Sequence, residues 1–165
     1  MTAHILQSRK GHSLRGLLFC LSLLVASCGA DTALVDFATL ERATTPNDAL
    51  ACPPGLCSAR TDFITEVVPQ SAQELAAKVT ATLLAEPRTE LMMQDADSQR
   101  FVFVQRSRLF RFPDTVNVAI MVVDDSHATL AIYSHSNYGY GDLGVNRTRV
   151  EDWLAKIGVS VRATP

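Results

Sequence analysis

The residues best suited to chemistry lie close together in a glycine-rich segment, 138–149. Glycines let backbone N–H groups converge on an anion, a helix start adds positive potential, and arginines supply charged donors. The segment ends in Asn146, Arg147 and Arg149. Anion binding is therefore one interpretation of this segment, and the structural interpretation that follows is the one we favour. In the purely structural alternative, Asp142 and Asn146 hydrogen-bond to the backbone and the arginines pair with acids.

The glycines at 139, 141 and 144 also have the G-x-G-x-x-G spacing of a dinucleotide-binding loop. That loop requires a parallel β-α-β context and an acid about 20 residues further on. The strand patterns before these glycines predict antiparallel pairs instead. We therefore expect no nucleotide and no other cofactor.

A basic stretch precedes the acid at 114. Arg108 and Arg111 alternate with apolar side chains just before Asp114, so they either face a ligand or protect an edge strand from aggregation. The candidate ligand-binding residues are Arg108, Arg111, Asp114, Asp142, Asn146, Arg147 and Arg149.

A hydrolase site is the alternative use of these residue types. Ser134, His135, Ser136 and Asp142 are residues found in nucleophilic triads. Neighbours on a strand point to opposite faces, so His135 would not face either serine. We assign no catalytic residue. An enzyme acting on envelope material through Asp114, Asp142 and the arginines stays as the alternative.

Two of the four cysteines are expected to pair with each other. Cys52 and Cys57 flank a Pro-Pro-Gly sequence that favours a turn, and the N-terminal segment described next predicts export to an oxidising compartment. A redox pair would have Cys-x-x-Cys spacing at a helix start, and zinc would need two more suitably spaced ligands. The sequence therefore predicts a disulfide and no metal site.

The N-terminal segment 1–27 has three basic residues, no acid and an apolar run that ends in small residues. The run is about ten residues long, whereas a spanning helix needs roughly 20, so a signal peptide is predicted. Its end, Val25-Ala26-Ser27-Cys28, resembles the lipobox of bacterial lipoproteins. The resemblance implies a diacylglycerol on Cys28, cleavage before it and acylation of the new amine. An ordinary signal peptide or an uncut anchor is the alternative.

The position after the lipobox bears on where the protein stays. Lipoproteins of the inner membrane often carry Asp directly after the lipidated cysteine, and this chain has Gly29. The resemblance therefore implies the periplasmic side of the outer membrane.

Without residues 1–27 the chain has 138 residues, with twelve basic and seventeen acidic side chains and a net charge of -5. We expect no nucleic-acid partner. The expected partners are the membrane and either an envelope protein or a small anionic ligand.

The elements that must position these residues lie in a single α+β domain, expected over 51–165 after a tether at 28–50. A capping box at Ser71 and Glu74 predicts a helix that ends before Pro87. Strand patterns follow at 88–94, 101–104, 116–122 and 129–133, and a last helix at 147–157 stops at Gly158. Short gaps favour antiparallel pairing. The fold class is an antiparallel sheet of about four strands flanked by two helices.

Two stretches, 108–114 and 139–151, resemble the domain-of-unknown-function family 1499. That family has a Phe-x-Asp stretch before its late strands and a Gly-Tyr-x-Asp-x-Gly-x-Asn-Arg-x-Arg-Val motif near its end. The region of Cys52 is similar to its cysteine-bearing N-terminal segment, so the resemblance spans about 47–157. Members usually have an arginine-serine pair where this chain has 133–136. No activity is established for the family, so the prediction is an envelope lipoprotein with a non-catalytic binding or interaction module.

Overall fold

The protein folds as one seven-stranded mixed sheet with two helices on one face. We analysed a computed structural model, which describes residues 29–97 and 99–164. The helices are α1 (Ala72–Ala85) and α2 (Val145–Ile157). The strands are β1 (Asp48–Cys52), β2 (Phe63–Thr65), β3 (Thr89–Gln94), β4 (Arg100–Arg106), β5 (Pro113–Asp124), β6 (His127–Ser136) and β7 (Val161–Ala163). The predicted signal peptide and Cys28 lie outside the described residues.

The order of strands across the sheet is β3-β4-β5-β6-β1-β2-β7. The four predicted strands, β3 to β6, form an antiparallel meander in sequence order. β1 adds to it antiparallel to β6, β2 pairs parallel to β1, and β7 closes the far edge antiparallel to β2. The prediction of about four antiparallel strands is therefore wrong in number and in the uniform direction of the strands.

Three strands escaped the sequence analysis because their local patterns are weak. β2 and β7 have only three residues each, and β1 has the small sequence Asp-Ala-Leu-Ala-Cys. Ala49 and Ala51 face the helices, while Leu50 and Cys52 face the other side, and all four are buried. A strand covered on both faces shows no polar alternation, so period-two patterning does not reveal it.

The main core lies between the helices and the sheet. The predicted face of α1, Leu75, Val79 and Leu83, is fully buried against it, and the capping box of Ser71 and Glu74 is formed. On α2, the residues Val150, Trp153, Leu154 and Ile157 are buried, and Gly158 ends the helix in the left-handed conformation. α2 begins at Val145, two residues before its predicted start. The helix predictions are thus confirmed apart from this boundary.

The segment predicted as a tether packs on the opposite face of the sheet. Phe37 is 5% exposed and contacts a second apolar cluster that includes Leu50 and Tyr133. The backbone N–H of Val35 donates to Asn117 Oδ1 at 3.2 Å. Covering this outer face stabilises the fold by about 25 cal/mol for each Å² of apolar surface that is removed from water. A flexible tether over 28–50 is therefore wrong for the described residues, and the first strand already begins at Asp48.

The predicted disulfide between Cys52 and Cys57 is formed. It closes the start of the connection 53–62, which links the parallel strands β1 and β2 without a helix. Leu56, Cys57 and Ala59 of this connection pack on the outer apolar cluster. The disulfide thus fixes an unusually short parallel connection against the sheet. Within the described residues, neither helix has the length and hydropathy needed to cross a bilayer.

Candidate functional site

Arg149 of α2 points into the protein, where its side chain is only 7% exposed. Its Nη2 donates to Asp114 Oδ2 at 2.6 Å and its Nε to Gln105 Oε1 at 2.7 Å. Its Nη1 donates to Ser134 Oγ at 2.9 Å and to Asn146 Oδ1 at 2.5 Å. These acceptors lie on β4, β5, β6 and α2, so one guanidinium joins the helix to three strands. We call these five residues the Arg149 network.

Asn146 is the second hub of this network and is fully buried. Its Nδ2 donates to Asp142 Oδ2 at 2.7 Å, to the Asn47 carbonyl at 2.9 Å and to Ser136 Oγ at 3.0 Å. Its Oδ1 accepts from Ser134 Oγ at 2.5 Å as well as from Arg149. Buried polar groups need such partners because an unsatisfied donor or acceptor costs about 1–3 kcal/mol. Asn146 therefore holds the helix, the sheet and the residue before β1 together.

The predicted anion loop is filled by a carboxylate of the chain itself. Asp142 Oδ1 accepts from the Gly144 N–H at 2.9 Å, and Oδ2 accepts from the Asn146 N–H at 2.7 Å. Gly144 is in the left-handed conformation with a φ of 81°, which glycine adopts without strain. The first turn of α2 thus already has a bound negative charge. For Asp142, Asn146 and Arg149, the contacts are those of the structural interpretation and not those of an anion site.

Arg147 lies two residues before Arg149 and faces a different part of the molecule. Its side chain is 46% exposed, lies over the Phe63 ring at 4.4 Å and pairs with Asp62 Oδ1 at 3.2 Å. On the other side of Asp62, Oδ2 lies 2.9 Å from Arg42 Nη1 and accepts from the Leu50 N–H. The Asp62 carboxylate therefore binds two guanidinium groups and one backbone N–H of β1.

Arg42 extends the cluster to the outer face of the sheet. Its Nη2 lies 2.5 Å from Asp48 Oδ1, and Asp48 Oδ2 accepts from the Tyr133 hydroxyl at 2.9 Å. Burial acts to lower the pKa of Arg42, but the hydrogen bond to Asp48 and the charges of Asp62 and Asp48 raise it overall. Burial and the Asp48 charge raise the pKa of Tyr133. At neutral pH the cluster holds an ionised arginine and a neutral tyrosine.

An open cleft of about 710 Å³ adjoins this cluster. It is lined by residues within 40–48, 58–62 and 142–147. The aspartates that line it are hydrogen-bonded to Arg42, Arg147 or the backbone of α2. The charged side chains exposed on the lining are Glu41, Arg60 and Arg147. We call this feature the Arg147 cleft, and Asp142 and Arg147 of the predicted site line it.

Sequence reasoning missed the residues that build this cleft. Arg42 and Asp48 fall in the expected tether, and Asp62 precedes a strand of three residues. The available signal was the pair of acids that flank the cysteine loop, but their partners lie 85 residues away at Arg147 and Tyr133. Charge pairing over that separation depends on the sheet order, which the pattern of the sequence does not give.

Arg108 and Arg111 are not brought into either cluster. Both are exposed in the loop 107–112 between β4 and β5, and Arg111 has a φ of 58°. Asp114, which follows the loop, is 9% exposed and is paired with Arg149. The predicted set of seven residues is therefore divided between a buried network, an open cleft and an exposed loop.

The residues of the hydrolase alternative point in different directions. Ser134 and Ser136 face α2 and bond to Asn146, whereas His135 stacks on Tyr133 on the opposite face, with ring centroids 5.1 Å apart. Burial lowers the pKa of His135. Alternation along β6 is therefore as predicted. Among the described residues, no group of three His, Cys, Asp or Glu side chains is arranged to hold a metal ion.

Comparison with known proteins supports the resemblance noted in the sequence. The family model described as "Protein of unknown function (DUF1499)" matches residues 42–157. No curated protein matches the chain. A solved structure described as a START superfamily protein from Mycobacterium smegmatis is similar over 58% of this chain and 92% of its own, with 11% sequence identity and a TM-score of 0.32.

Proposed function

The chain belongs to the DUF1499 family of proteins of unknown function, and from this premise we propose that it is a lipid-anchored protein of the bacterial cell envelope. Its domain works as a non-catalytic binding module. The Arg147 cleft takes a small ligand that carries an anionic group. The observation that carries the proposal is the contrast between Arg149, which is bonded within the protein, and Arg147, which lies half-exposed on the wall of an open cleft.

The anchor is proposed from the sequence Val25 to Cys28. Each buried methylene contributes roughly 0.8 kcal/mol, so the two or more acyl chains of a lipoprotein give stable attachment where one would not. Gly29 in place of Asp after the cysteine favours the periplasmic side of the outer membrane. Metabolic labelling with palmitate tests this part, since the label should enter the parent chain and be absent from Cys28→Ala. A label that persists in Cys28→Ala contradicts the anchor.

The ligand class follows from the charges on the cleft. Arg42 pairs with Asp48 and Asp62, and Asp62 also pairs with Arg147, so these two arginines and two aspartates balance one another. Arg147 and Arg60 are exposed on the lining, against the single exposed acid Glu41. A guanidinium presents two parallel N–H donors that match a carboxylate or phosphate. The guanidinium carbon of Arg147 lies 4.4 Å from the centroid of the Phe63 ring, and this contact helps to order the side chain.

A binding role is favoured over the hydrolase alternative by the state of the acids. Asp114 is bonded to Arg149, and the two Asp142 oxygens accept from the backbone N–H groups of Gly144 and Asn146 at the start of α2. A general base needs a free lone pair directed at the substrate. The hydroxyl of Ser134 is likewise held between Asn146 and Arg149. Asp114, Asp142 and Ser134 therefore stabilise the fold, whereas the adjacent cleft has exposed arginines that suit binding.

Thermal unfolding of the full chain in detergent tests the ligand class directly. Trp153 is the single tryptophan and is 2% exposed, so its fluorescence reports unfolding without a label. Inorganic phosphate, sulfate and acetate serve as probes. An anion present at ten times its dissociation constant raises the free energy of unfolding by about 1.4 kcal/mol. This corresponds to an increase of roughly 5 °C in Tm.

Two variants make this measurement specific. Arg147→Ala should abolish the stabilisation, and Arg147→Lys should retain part of it because the charge remains without the planar fork. Arg162→Ala is the matched control, since Arg162 is 71% exposed and pairs weakly with Glu66 at 3.8 Å outside the cleft. An anion effect of equal size in Arg147→Ala and the parent chain contradicts the proposed ligand site.

A further inference from the structure

Two loops project from the same end of the sheet. The register pairs Arg106 with Pro113 and Asp114 with Ser136, so the loop 107–112 and the loop 137–144 leave neighbouring strands at one end. The rings of Phe112 and Tyr138 are 6.3 Å apart, and the Asn137 side chain donates to the Pro113 carbonyl at 3.1 Å. We call these two loops, with Val145, the apolar tip.

The apolar tip is unusually hydrophobic for an exposed surface. Of the thirteen exposed large apolar side chains among the described residues, seven lie on it. These are Leu109, Phe110, Phe112, Tyr138, Tyr140, Leu143 and Val145. Leu143 has no contact that reduces its exposure, and its φ of 56° is uncommon for a residue with a side chain. Clustered apolar exposure of this kind marks an interaction surface.

The charges on the molecule are divided between its two ends. The tip end carries Arg88, Arg106, Arg108 and Arg111. Of the acids at this end, Asp31, Glu86 and Asp142 accept hydrogen bonds from within the chain, and Asp152 is exposed beside Leu143 and Val145. The opposite end carries Asp95, Asp97, Asp124 and Asp125 in the two hairpin turns, with Arg100 as its arginine. An anionic surface would therefore attract the tip and repel the opposite end.

The start of the described chain lies at the tip. The Tyr138 hydroxyl donates to the Gly29 carbonyl at 2.9 Å, and the Asp31 N–H donates to Asn137 Oδ1 at 2.8 Å. Gly29 directly follows Cys28, the proposed site of lipid attachment. A lipid on Cys28 is thus one residue from the aromatic loops. The segment 31–40 packs on the sheet and leaves little free chain between the anchor and the domain.

We propose that the apolar tip docks on the lipid surface, with its aromatic side chains among the acyl chains and its arginines on anionic phospholipid headgroups. This inference rests on the proposed lipid anchor. Aromatic side chains favour the interface of a bilayer, and arginines gain from anionic lipids. A protein partner is disfavoured because the apolar side chains lie on projecting loops next to the anchor. Docking fixes the orientation of the domain, with the acidic hairpins directed away from the membrane.

Fluorescence quenching by lipids tests the orientation in the full, lipidated chain reconstituted in vesicles. Phe110→Trp places a reporter on the tip, and Val123→Trp is the matched control, since Val123 is 53% exposed on the opposite hairpin. Trp153 gives the same buried background in both variants. Brominated phosphatidylethanolamine mixed with phosphatidylglycerol is the quencher. We expect the reporter at position 110 to be quenched at least about threefold more than the reporter at position 123, because interfacial side chains reach roughly 5–10 Å into the acyl boundary.

Three results of the quenching experiment overturn the docking proposal. They are equal quenching of both reporters, no quenching of either, and quenching at 110 that is unchanged when phosphatidylglycerol is replaced by phosphatidylcholine. A photo-crosslinking residue at position 110 that forms a protein adduct in cells while the vesicle reporter stays unquenched assigns the tip to a protein and also overturns it. Arg108→Gln combined with Arg111→Gln should lower the quenching at 110.

The same preparation separates failure of docking from failure of the anchor. Mass analysis of the N-terminal peptide shows whether Cys28 carries lipid. Lipid on Cys28 without quenching at 110 overturns docking and leaves the anchor in place. Quenching at 110 by added vesicles when Cys28 carries no lipid supports the docking surface and contradicts the anchor.

Discussion

Arg147 and Arg149 lie two residues apart on α2, yet their guanidinium groups have opposite surroundings. Arg149 is 7% exposed and has acceptors from three strands, whereas Arg147 is 46% exposed and shares one aspartate with Arg42. Residues at i and i+2 point to different sides of an α-helix because successive side chains are rotated by about 100° around the helix axis. One helix therefore places a buried arginine toward the sheet and a half-exposed arginine toward the cleft.

The difference shows why residue type alone does not identify a site. An arginine needs acceptors when it is buried, and a buried pair is a weak source of stability because desolvation offsets the attraction. Breaking such a pair is costly, since one charge then stays buried without its partner. An exposed arginine can be removed with little effect on folding and can exchange one anion for another.

The largest expected effect comes from removing Arg149. Arg149→Met should lower the free energy of unfolding by about 3–5 kcal/mol, because Asp114 would stay buried without its cation. Arg147→Ala should lower it by no more than about 1 kcal/mol. Urea unfolding followed by Trp153 fluorescence measures both. A cost at Arg147 equal to that at Arg149 would break the comparison.

The double variant separates charge loss from lost packing. Asp114→Asn in the Arg149→Met background removes the unpaired charge, so we expect it to recover part of the lost stability. If Asp114→Asn adds its full cost to that of Arg149→Met, the two residues are not coupled and the Arg149 network is wrongly described.

An intermediate effect is expected at Asp142. Asp142→Ala removes the acceptor of the first N–H groups of α2, which should cost about 1 kcal/mol. It also frees those N–H groups, so inorganic phosphate should stabilise this variant more than it stabilises the parent chain. Asp152→Ala, at an exposed position on the same helix, is the control. Equal phosphate stabilisation of Asp142→Ala and Asp152→Ala would show that Asp142 does not occupy the helix N-terminus.

The smallest expected effect is a pH dependence of the free energy of unfolding that comes from His135. This side chain stacks on Tyr133 on the outer face of the sheet. Burial lowers its pKa from the ordinary value of 6.5, against the charges of Asp31, Asp48 and Asp114. Unfolding therefore takes up a proton as the pH falls below 6.5, and stability decreases through that range. His135→Phe keeps the stack on Tyr133, and its urea midpoint should depend less on pH between about pH 7 and pH 5 than that of the parent chain. His127→Gln is the control, and a parent profile that is already flat contradicts the assignment.

The sequence predicted the helices and the meander because their side-chain patterns are local. Leu75, Val79 and Leu83 recur at helical spacing, and β5 and β6 alternate along their length. β2 is too short to show a pattern, and the apolar residues of 33–40 around Phe37 have no clear helical or alternating period. Their positions are decided by the outer face of the sheet, which exists only after β1 has paired with β6.

The candidate site divides in the same way. The capping role of Asp142 depends on residues within four positions and was among the alternatives the sequence offered. The pairing of Arg147 with Asp62 joins residues 85 positions apart, and the loop 107–112 meets the loop 137–144 only where β5 pairs with β6. Contacts of this range follow from strand order, not from spacing.

The most direct test of the two roles is an NMR titration of the arginine side chains with inorganic phosphate, in the full chain in detergent micelles. We expect the Arg147 Nε–H resonance to move in proportion to occupancy and to saturate. The Arg149 Nε–H, bonded to Gln105 at 2.7 Å, should stay in place and exchange slowly with solvent. Movement of Arg149 with Arg147 unchanged, or no movement of either resonance, would contradict the account.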